Sequence, residues 1–327
     1  MTAVLVTGGA GYIGSHAVLA LMDGGHTPVV LDNLSKGSRE AVPKGVPLHV
    51  GDVADRDLVA DVLRSHDIGA VMHFAASIIV PESVAEPELY YRNNTSAALS
   101  LIETCVQAGV GPFIFSSTAA VYGAPETSPV AEEAPLAPIS PYGASKAMVE
   151  RMLQDVSLAR PGFRPVCLRY FNVAGADPHG RAGQRTRNAT HLIHLAIETA
   201  LGLQPQLDIF GYDYPTRDGT CERDYIHVSD LAEAHVAALR YLEGGGAPTV
   251  LNCGYGRGFT VLEVVQRLEA LIGRPLPVRA SPRRPGDPYS VVADARKIGS
   301  VLGWKPAHDD LGKILASVLA WRQTLSG

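Results

Sequence analysis

A short apolar run at residues 3–7 leads directly into Gly8-Gly9-Ala10-Gly11-Tyr12-Ile13-Gly14, where the spacing is G-x-x-G-x-x-G and a helical pattern begins. Glycines at this spacing let the chain turn sharply after a strand and let backbone approach a pyrophosphate. The helix N-terminus adds free N–H groups and the positive end of a dipole. A glycine pattern alone is weak, but here it stands between an expected strand and an expected helix. A carboxylate, Asp32, also follows at the end of the next apolar run. That carboxylate is placed to bond an adenosine ribose, with Asn33 beside it, and to repel a 2′-phosphate. NAD is therefore the expected cofactor, although Lys36 and Arg39 lie close enough to offer charge to a phosphate.

The pattern that follows repeats the first unit. Runs at 28–31, 48–50, 70–74 and 113–116 are short and apolar throughout, as strands buried on both faces are. Helical spacing fills the gaps at 14–22, 56–65 and 97–108, and a further helix at 141–159 precedes a strand at 165–169. The expected fold is α/β, a doubly wound parallel (Rossmann) sheet with a smaller mixed α/β substrate-binding lobe. The expected division is 1–170 for the dinucleotide domain and 171–327 for the lobe, with some later segments returning to the sheet. Residues 174–188 read as a loop over a site, helices are expected near 191–201, 228–242 and 261–271, and Gly244-Gly245-Gly246 reads as a flexible joint.

Along this frame, the carboxyl ends of the strands are where a dinucleotide would lie. Gly8, Gly11, Tyr12, Ile13 and Gly14 form the cradle, and Phe74-Ala75-Ala76 offers small residues at the sheet edge. Asp52 and Val53 are placed to meet the adenine, or Asp52 caps the next helix. Asn93 either orients the cofactor or caps a turn. Net charge is −5, from 28 basic and 33 acidic residues, which argues against nucleic acid as a partner. No apolar run is long enough to span a membrane. The start carries no basic leader, so a reducing cytoplasm is expected, with Cys105, Cys167, Cys221 and Cys253 as buried thiols.

Tyr142-Gly143-Ala144-Ser145-Lys146 suggests the chemistry. Tyr142 and Lys146 are four apart and share a helix face. A tyrosine titrates near 10 in isolation, and a nearby ammonium favours its phenolate. Such a pair can exchange a proton with a sugar hydroxyl. Thr118, at the end of the fifth strand, is placed either to share a hydrogen bond with that hydroxyl and Tyr142 or to be an ordinary strand-end hydroxyl.

Taken together, TGGAGYIGSH, Asp32-Asn33-Leu34, HFAA, FSSTAAVYG, SPYGASK, RYFN and RDYIHV closely resemble the UDP-glucose 4-epimerases, which are extended short-chain dehydrogenase/reductases. The resemblance covers residues 3 to about 305. It implies tightly held NAD and interconversion of UDP-glucose and UDP-galactose. The sugar is oxidised transiently at C4, rotates as a 4-ketose, and takes hydride back on its other face. By the same resemblance Tyr142 moves the proton, and Lys146 favours the phenolate and bonds the nicotinamide ribose. Ser116, Tyr170 and Phe171 lie near the nicotinamide, and Asn172 contacts the nucleotide-sugar. Arg223 and Arg284 pair with the diphosphate, Asp287 takes the uridine ribose, Ile209 and Phe210 hold uracil, and Tyr225 lines the site. A UDP-sugar ligand and a homodimer built on the helices at 97–108 and 142–159 are further implications.

This chain departs from the family pattern at three places. Ser77-Ile78-Ile79 has no lysine where members often carry one near the cofactor phosphates. His191-Leu192 stands where many have Asn-Leu; a backbone contact there suits substrate, and His191 with His194 lacks the carboxylate a metal site would need. Val291 replaces a bulky wall tyrosine four residues after Asp287, so some tolerance of UDP-N-acetylhexosamines is expected. The rival readings are a UDP-pentose 4-epimerase, a nucleotide-sugar 4,6-dehydratase and a non-catalytic NAD-sensing regulator. Ala119-Ala120 lacks the acid and base a dehydratase needs beside its threonine, and the Tyr142/Lys146 pair argues against a regulator.

Overall fold

A computed structural model describes residues 1–185, 190–284 and 286–326. Its first half is the expected alternation: β1 (Ala3–Thr7), α1 (Tyr12–Asp23), β2 (Thr27–Asp32), β3 (Leu48–Val50), α2 (Arg56–Ser65) and β4 (Ala70–His73). After α3 (Val80–Ala85) and α4 (Pro87–Tyr90), a π-helical stretch (Tyr91–Ser96) runs into α5 (Ala97–Gln107). β5 (Pro112–Thr118), α6 (Pro141–Ala159) and β6 (Arg164–Tyr170) follow. β5 runs on past its apolar residues, because its ladder with β6 continues through Ser116, Ser117 and Thr118, the last opposite Tyr170. The sequence pattern sees the change of polarity there, whereas the backbone pairing ignores it.

The second half contributes β7 (Asn172–Ala174), α7 (Leu192–Ala200), β8 (Leu207–Phe210), β9 (Glu222–His227), α8 (Val228–Glu243), β10 (Thr249–Cys253) and β11 (Gly258–Thr260). It closes with α9 (Val261–Ile272), β12 (Val278–Ser281), β13 (Ser290–Val291), α10 (Arg296–Leu302) and α11 (Leu311–Ser326). Part of the expected 174–188 loop, residues 186–188, lies outside the described residues. The glycines at 244–246 are not a loose joint. Their N–H groups donate to Arg240 O, Leu242 O and Tyr241 O at 2.9–3.0 Å, closing the C-terminus of α8.

The main sheet is parallel throughout, in the order β10-β6-β5-β4-β1-β2-β3. Chain order reverses between β1 and β4, and the carboxyl ends of strands at such a switch point are where open α/β sheets bind ligands. α1, α8 and α10 cover one face with Val18, Leu21, Leu239 and Ile298; α2, α5 and α6 cover the other with Val59, Leu101 and Leu153. A third apolar cluster joins α7, α9 and α11 around Ile197, Leu268 and Leu315. β7, β11 and β13 all pair with β9, and β8 pairs with β12. The four cysteines are free and buried, and no described helix is long and apolar enough to cross a membrane.

Two glycines set how closely α1 approaches the sheet. Gly8 has φ +72°, and a Cβ on it would lie 2.6 Å from Ala75 N; one on Gly14 would lie 2.2 Å from Gly8 O. Only hydrogen side chains let helix, loop and strand meet there. Gly14→Ala is expected to lower unfolding free energy by about 1–3 kcal/mol in urea. An unchanged denaturation midpoint would show that the contact is slack.

Candidate active site

The glycine turn is built from backbone bonds. Gly8 N donates to Leu31 O at 2.8 Å and Gly11 N to Gly8 O at 3.0 Å. Gly11 caps α1 with no side-chain bond, and no acidic residue lies in the first turn that begins Tyr12-Ile13-Gly14. Side chains cap some of the other helices, Asp55 on α2, Ser140 on α6 and Thr260 on α9, whereas α7 and α10, like α1, start without one. The start of α1 thus keeps its positive end free for an anion, which is what a pyrophosphate requires. Tyr12 turns away, and its hydroxyl donates to Gly175 O at 2.6 Å, tying the cradle to the second half of the chain.

Asp32 is buried at the end of β2. Oδ2 accepts from Ala10 N at 3.0 Å and Oδ1 from Leu34 N at 2.8 Å, so two backbone donors orient the carboxylate beside the cradle. Asn33 Nδ2 donates to Asp52 Oδ2 at 3.2 Å, joining those two expected residues, with Val53 buried behind them. Asp52 does not cap α2. Its Oδ1 accepts from Ala54 N at 2.9 Å, while Asp55 makes the cap through Leu58 N. The fit to an adenosine-bearing dinucleotide is therefore carried by an uncapped helix start and an oriented carboxylate, both within the described residues.

Phe74 follows β4 and donates its N–H to Thr7 O at 2.9 Å, with Ala75 packed on Gly8 and Ala76 next in line. Asn93 lies in the π-helical stretch and caps no turn; its Nδ2 donates to Ser77 Oγ at 3.2 Å. The buried residue is its neighbour Asn94, which the sequence reading passed over. Asn94 exchanges bonds with Ser77 N and O and donates to Ser145 Oγ at 3.0 Å, fixing the 74–77 segment to α6. The extra residue of a π turn rotates one asparagine inward and the other outward, a register that helical spacing alone does not disclose.

The Tyr142/Lys146 pair is held where α6 crosses β5. Ser140 caps the helix by accepting from Gly143 N at 3.2 Å. Lys146 is 2% exposed; its Nζ donates to Ser116 O at 2.9 Å and sits 4.8 Å from the centre of the Phe115 ring. Burial lowers its pKa to about 7, with the Glu150 carboxylate pulling the other way. Tyr142 is buried against the edge of Tyr90, ring centres 6.4 Å apart. Burial raises the Tyr142 pKa above its usual value, and a hydrogen bond with Thr118 acts to lower it. The depression expected from Lys146 is not among the causes acting on Tyr142 in the chain alone; loss of water dominates and Thr118 opposes it. Thr118 itself caps the following turn, accepting from Ala120 N at 3.1 Å. Ser116 Oγ bonds the Tyr170 hydroxyl, so Ser116, Thr118, Tyr142, Lys146 and Tyr170 form one cluster at the carboxyl edge. His73 lies beneath it, 2.7 Å from Thr7 Oγ1 through Nδ1, and burial lowers its pKa to about 3.

The expected substrate residues fall on the second lobe and its junction. Asn172 pairs with buried Tyr225 across β7 and β9, and Val291 pairs with Arg223 across β13 and β9. Val291 and Phe171 share one apolar cluster with Tyr122 and Val130. Arg223 forms an ion pair with Asp287, not with its neighbour Asp224. Asp224 is instead fully buried and accepts from Tyr255, Gly256 and Ala293 N–H groups at 2.9–3.2 Å. The Arg284 guanidinium stacks 3.9 Å over the Phe210 ring at the end of β8, beside buried Ile209. His191 caps α7, with its carbonyl accepting from Leu195 N at 3.1 Å and Leu192 opening the helix. Among the described residues no group of three or more His, Cys, Asp or Glu is placed to hold a metal.

Known proteins share both sequence and fold with this chain. The NAD dependent epimerase/dehydratase family model matches residues 4–254. The UDP-glucose 4-epimerase of Azospirillum brasilense is 57% identical over 322 residues, covering 98% of this chain and 92% of that protein. The solved UDP-glucose 4-epimerase of Stenotrophomonas maltophila, which holds NAD and formylated UDP-arabinopyranose, superimposes with a TM-score of 0.97 at 39% identity, covering 100% and 99% of the two chains. The UDP-Glc/GlcNAc 4-epimerase of Campylobacter jejuni superimposes with a TM-score of 0.87 at 47% identity, covering 99% and 100%. The chain belongs to the NAD dependent epimerase/dehydratase family, and within it to the group of the UDP-glucose 4-epimerases.

Proposed function

We propose that this chain interconverts UDP-glucose and UDP-galactose by oxidising the sugar at C4 and reducing it again on the other face, with NAD retained. The observation that carries the reading is the buried Tyr142–Lys146–Thr118–Ser116 cluster at the carboxyl edge of β5, beside an uncapped helix start and the oriented Asp32 carboxylate. Gly8, Gly11, Tyr12, Ile13 and Gly14 seat the pyrophosphate; Asp32, Asn33, Asp52 and Val53 surround the adenosine; Phe74, Ala75, Ala76, Asn93 and Tyr170 line the path between. Bound NAD supplies a hydride acceptor for sugar C4 and a cationic ring.

The protein's part is to bind, to orient and to move one proton. Tyr142 takes the proton from the sugar 4-hydroxyl as C4 is oxidised and returns it when C4 is reduced. Its buried phenol resists ionisation, so positive charge and the Thr118 hydrogen bond have to make the phenolate accessible. Lys146, titrating near neutrality and anchored on Ser116 O, supplies that charge from a fixed position. Arg223 and Arg284 leave Asp287 and Phe210 to grip the diphosphate, a geometry guanidinium groups suit. Asp287 then serves the ribose, while Asn172, Tyr225, His191 and Leu192 close around the nucleotide-sugar. Ala119 and Ala120 have no titratable group in the turn after Thr118, which leaves no elimination chemistry there.

Residues 1–170 form the dinucleotide unit and 171–327 mainly the substrate lobe, α8 and β10 returning to the first. A second copy docks on the α5–α6 face, where Leu99 and Met148 are exposed while Leu153 belongs to the core.

Purified protein is expected to turn UDP-galactose into UDP-glucose without added NAD, and Tyr142→Phe to lower turnover by about 10²–10⁴-fold. Full turnover in that variant would sink the proton-transfer assignment. Val291 in place of a larger wall residue predicts measurable turnover of UDP-N-acetylgalactosamine. No product from that substrate would mean that the wall is set elsewhere.

A further inference from the structure

Behind the catalytic cluster lies a second charged group that the mechanism above leaves unused. Glu150 follows Lys146 by one helical turn, so Tyr142, Lys146 and Glu150 occupy one face of α6. Glu150 is 6% exposed and Arg169 on β6 is 5% exposed. Arg169 Nε donates to both Glu150 oxygens at 3.0 and 3.1 Å and Nη2 to Oε2 at 2.6 Å, a bidentate fork; Ser117 Oγ on β5 donates to Oε1. Arg169 Nη1 donates to Tyr122 Oη at 2.9 Å and Glu132 O at 3.0 Å, and Tyr122 Oη donates to Asn252 Oδ1 on β10 at 2.7 Å. The network joins α6 to three neighbouring strands, each at the end that carries the chemistry. Ser117 lies between Ser116 and Thr118, and Arg169 directly precedes Tyr170.

A buried ion pair is a poor device for stability, because desolvating two charges offsets most of their attraction and an apolar pair of similar volume would serve as well. Its position relative to Lys146 gives it a reason. Lys146 shares its helix face with Tyr142 and Glu150, its Nζ meets the Ser116 carbonyl and the Phe115 ring of β5, and its charge acts on His73 of β4, while Tyr170 of β6 bonds Ser116 and Arg169 of β6 bonds Glu150. Asn94, from the π-helical stretch, is uncharged. Tyr90 of α4 stands against Tyr142 and donates its hydroxyl hydrogen to Glu82 of α3. Burial lowers the pKa of His73 to about 3 and raises those of Tyr142 and Tyr170. Among these groups Glu150 is the carboxylate that acts on the lysine, and burial works against the ammonium.

We propose that Glu150 is a positioning residue for epimerisation: clamped by Arg169 and Ser117, it fixes α6 on the β5–β6 edge and holds Lys146 as an ammonium ion. This rests on the assignment of Tyr142 and Lys146 as the proton-transfer pair. The test is kcat/KM for UDP-galactose across the neutral and alkaline range in the holoenzyme. Glu150→Gln is expected to move the alkaline limb toward acid by roughly half a unit or more, as loss of a neighbouring negative charge lowers a buried lysine's pKa. Glu150→Asp keeps the charge and is expected to fall between Glu150→Gln and the unmodified enzyme. Should Glu150→Gln fail to fold, the limb of Glu150→Asp decides, and it must move in the same direction. Activity lost by the same factor at every pH, with the limb unmoved, overturns the proposal and leaves Glu150 a structural residue. If Tyr142→Phe is inactive while the Glu150 limb stays put, this inference alone fails; full activity in Tyr142→Phe removes the reading beneath it.

Discussion

Lys146 is an amine-bearing side chain with almost no access to water, and the rest of the site is arranged around that fact. A charge so placed needs a fixed acceptor and nearby compensation. The acceptor is Ser116 O, the Phe115 ring lies alongside, and a carboxylate stands one helical turn away. Each of these demands that α6 lie across β5 and β6 in one register only. That register also carries Tyr142 to Thr118, Ser145 to Asn94, and through Asn94 the 74–77 segment that packs on Gly8. The chemical end and the cofactor end of the sheet are thus linked by a few buried polar contacts.

The substrate side follows a different logic. Its cations are occupied within the chain: Arg223 by Asp287 and Arg284 by the Phe210 ring. Internal partners keep the guanidinium groups oriented and spare the lobe an uncompensated positive cluster. A diphosphate has a geometry that also suits the guanidinium fork, as the proposed function requires of these two arginines. Asp224 performs the structural work on this side, gathering three backbone N–H groups from the 255–256 turn and Ala293, although burial raises its pKa to about 6.

Much of this was legible in the residues. The strand–glycine–helix unit with Asp32, the repeated apolar runs and the Tyr142/Lys146 spacing set out the sheet and its carboxyl edge, because these features depend on local pattern, on continuous apolar runs and on the helical period of 3.6. What escaped depends on register or on burial. The π turn that selects Asn94 over Asn93 leaves no periodic mark. Glu150 was within reach of the spacing rule that paired Tyr142 with Lys146, and Arg169 is a charge that follows the apolar run of β6, yet neither signal says that the two meet. β7, β11 and β13 are two or three residues long and β9 begins with three charged residues, and their partners lie far along the chain, so no strand pattern marks them. The direction of the Tyr142 shift was misjudged because spacing reveals a neighbour and not how much water is lost.

The central claim is that the chain moves one proton through Tyr142 while the hydrogen on sugar C4 leaves and returns without meeting water. UDP-galactose carrying deuterium at C4, converted in ordinary water and followed by mass spectrometry, tests this directly. Full retention of the label in UDP-glucose is the predicted result. Loss of the label to solvent would mean that C4 is inverted by proton abstraction from carbon, and would contradict the account.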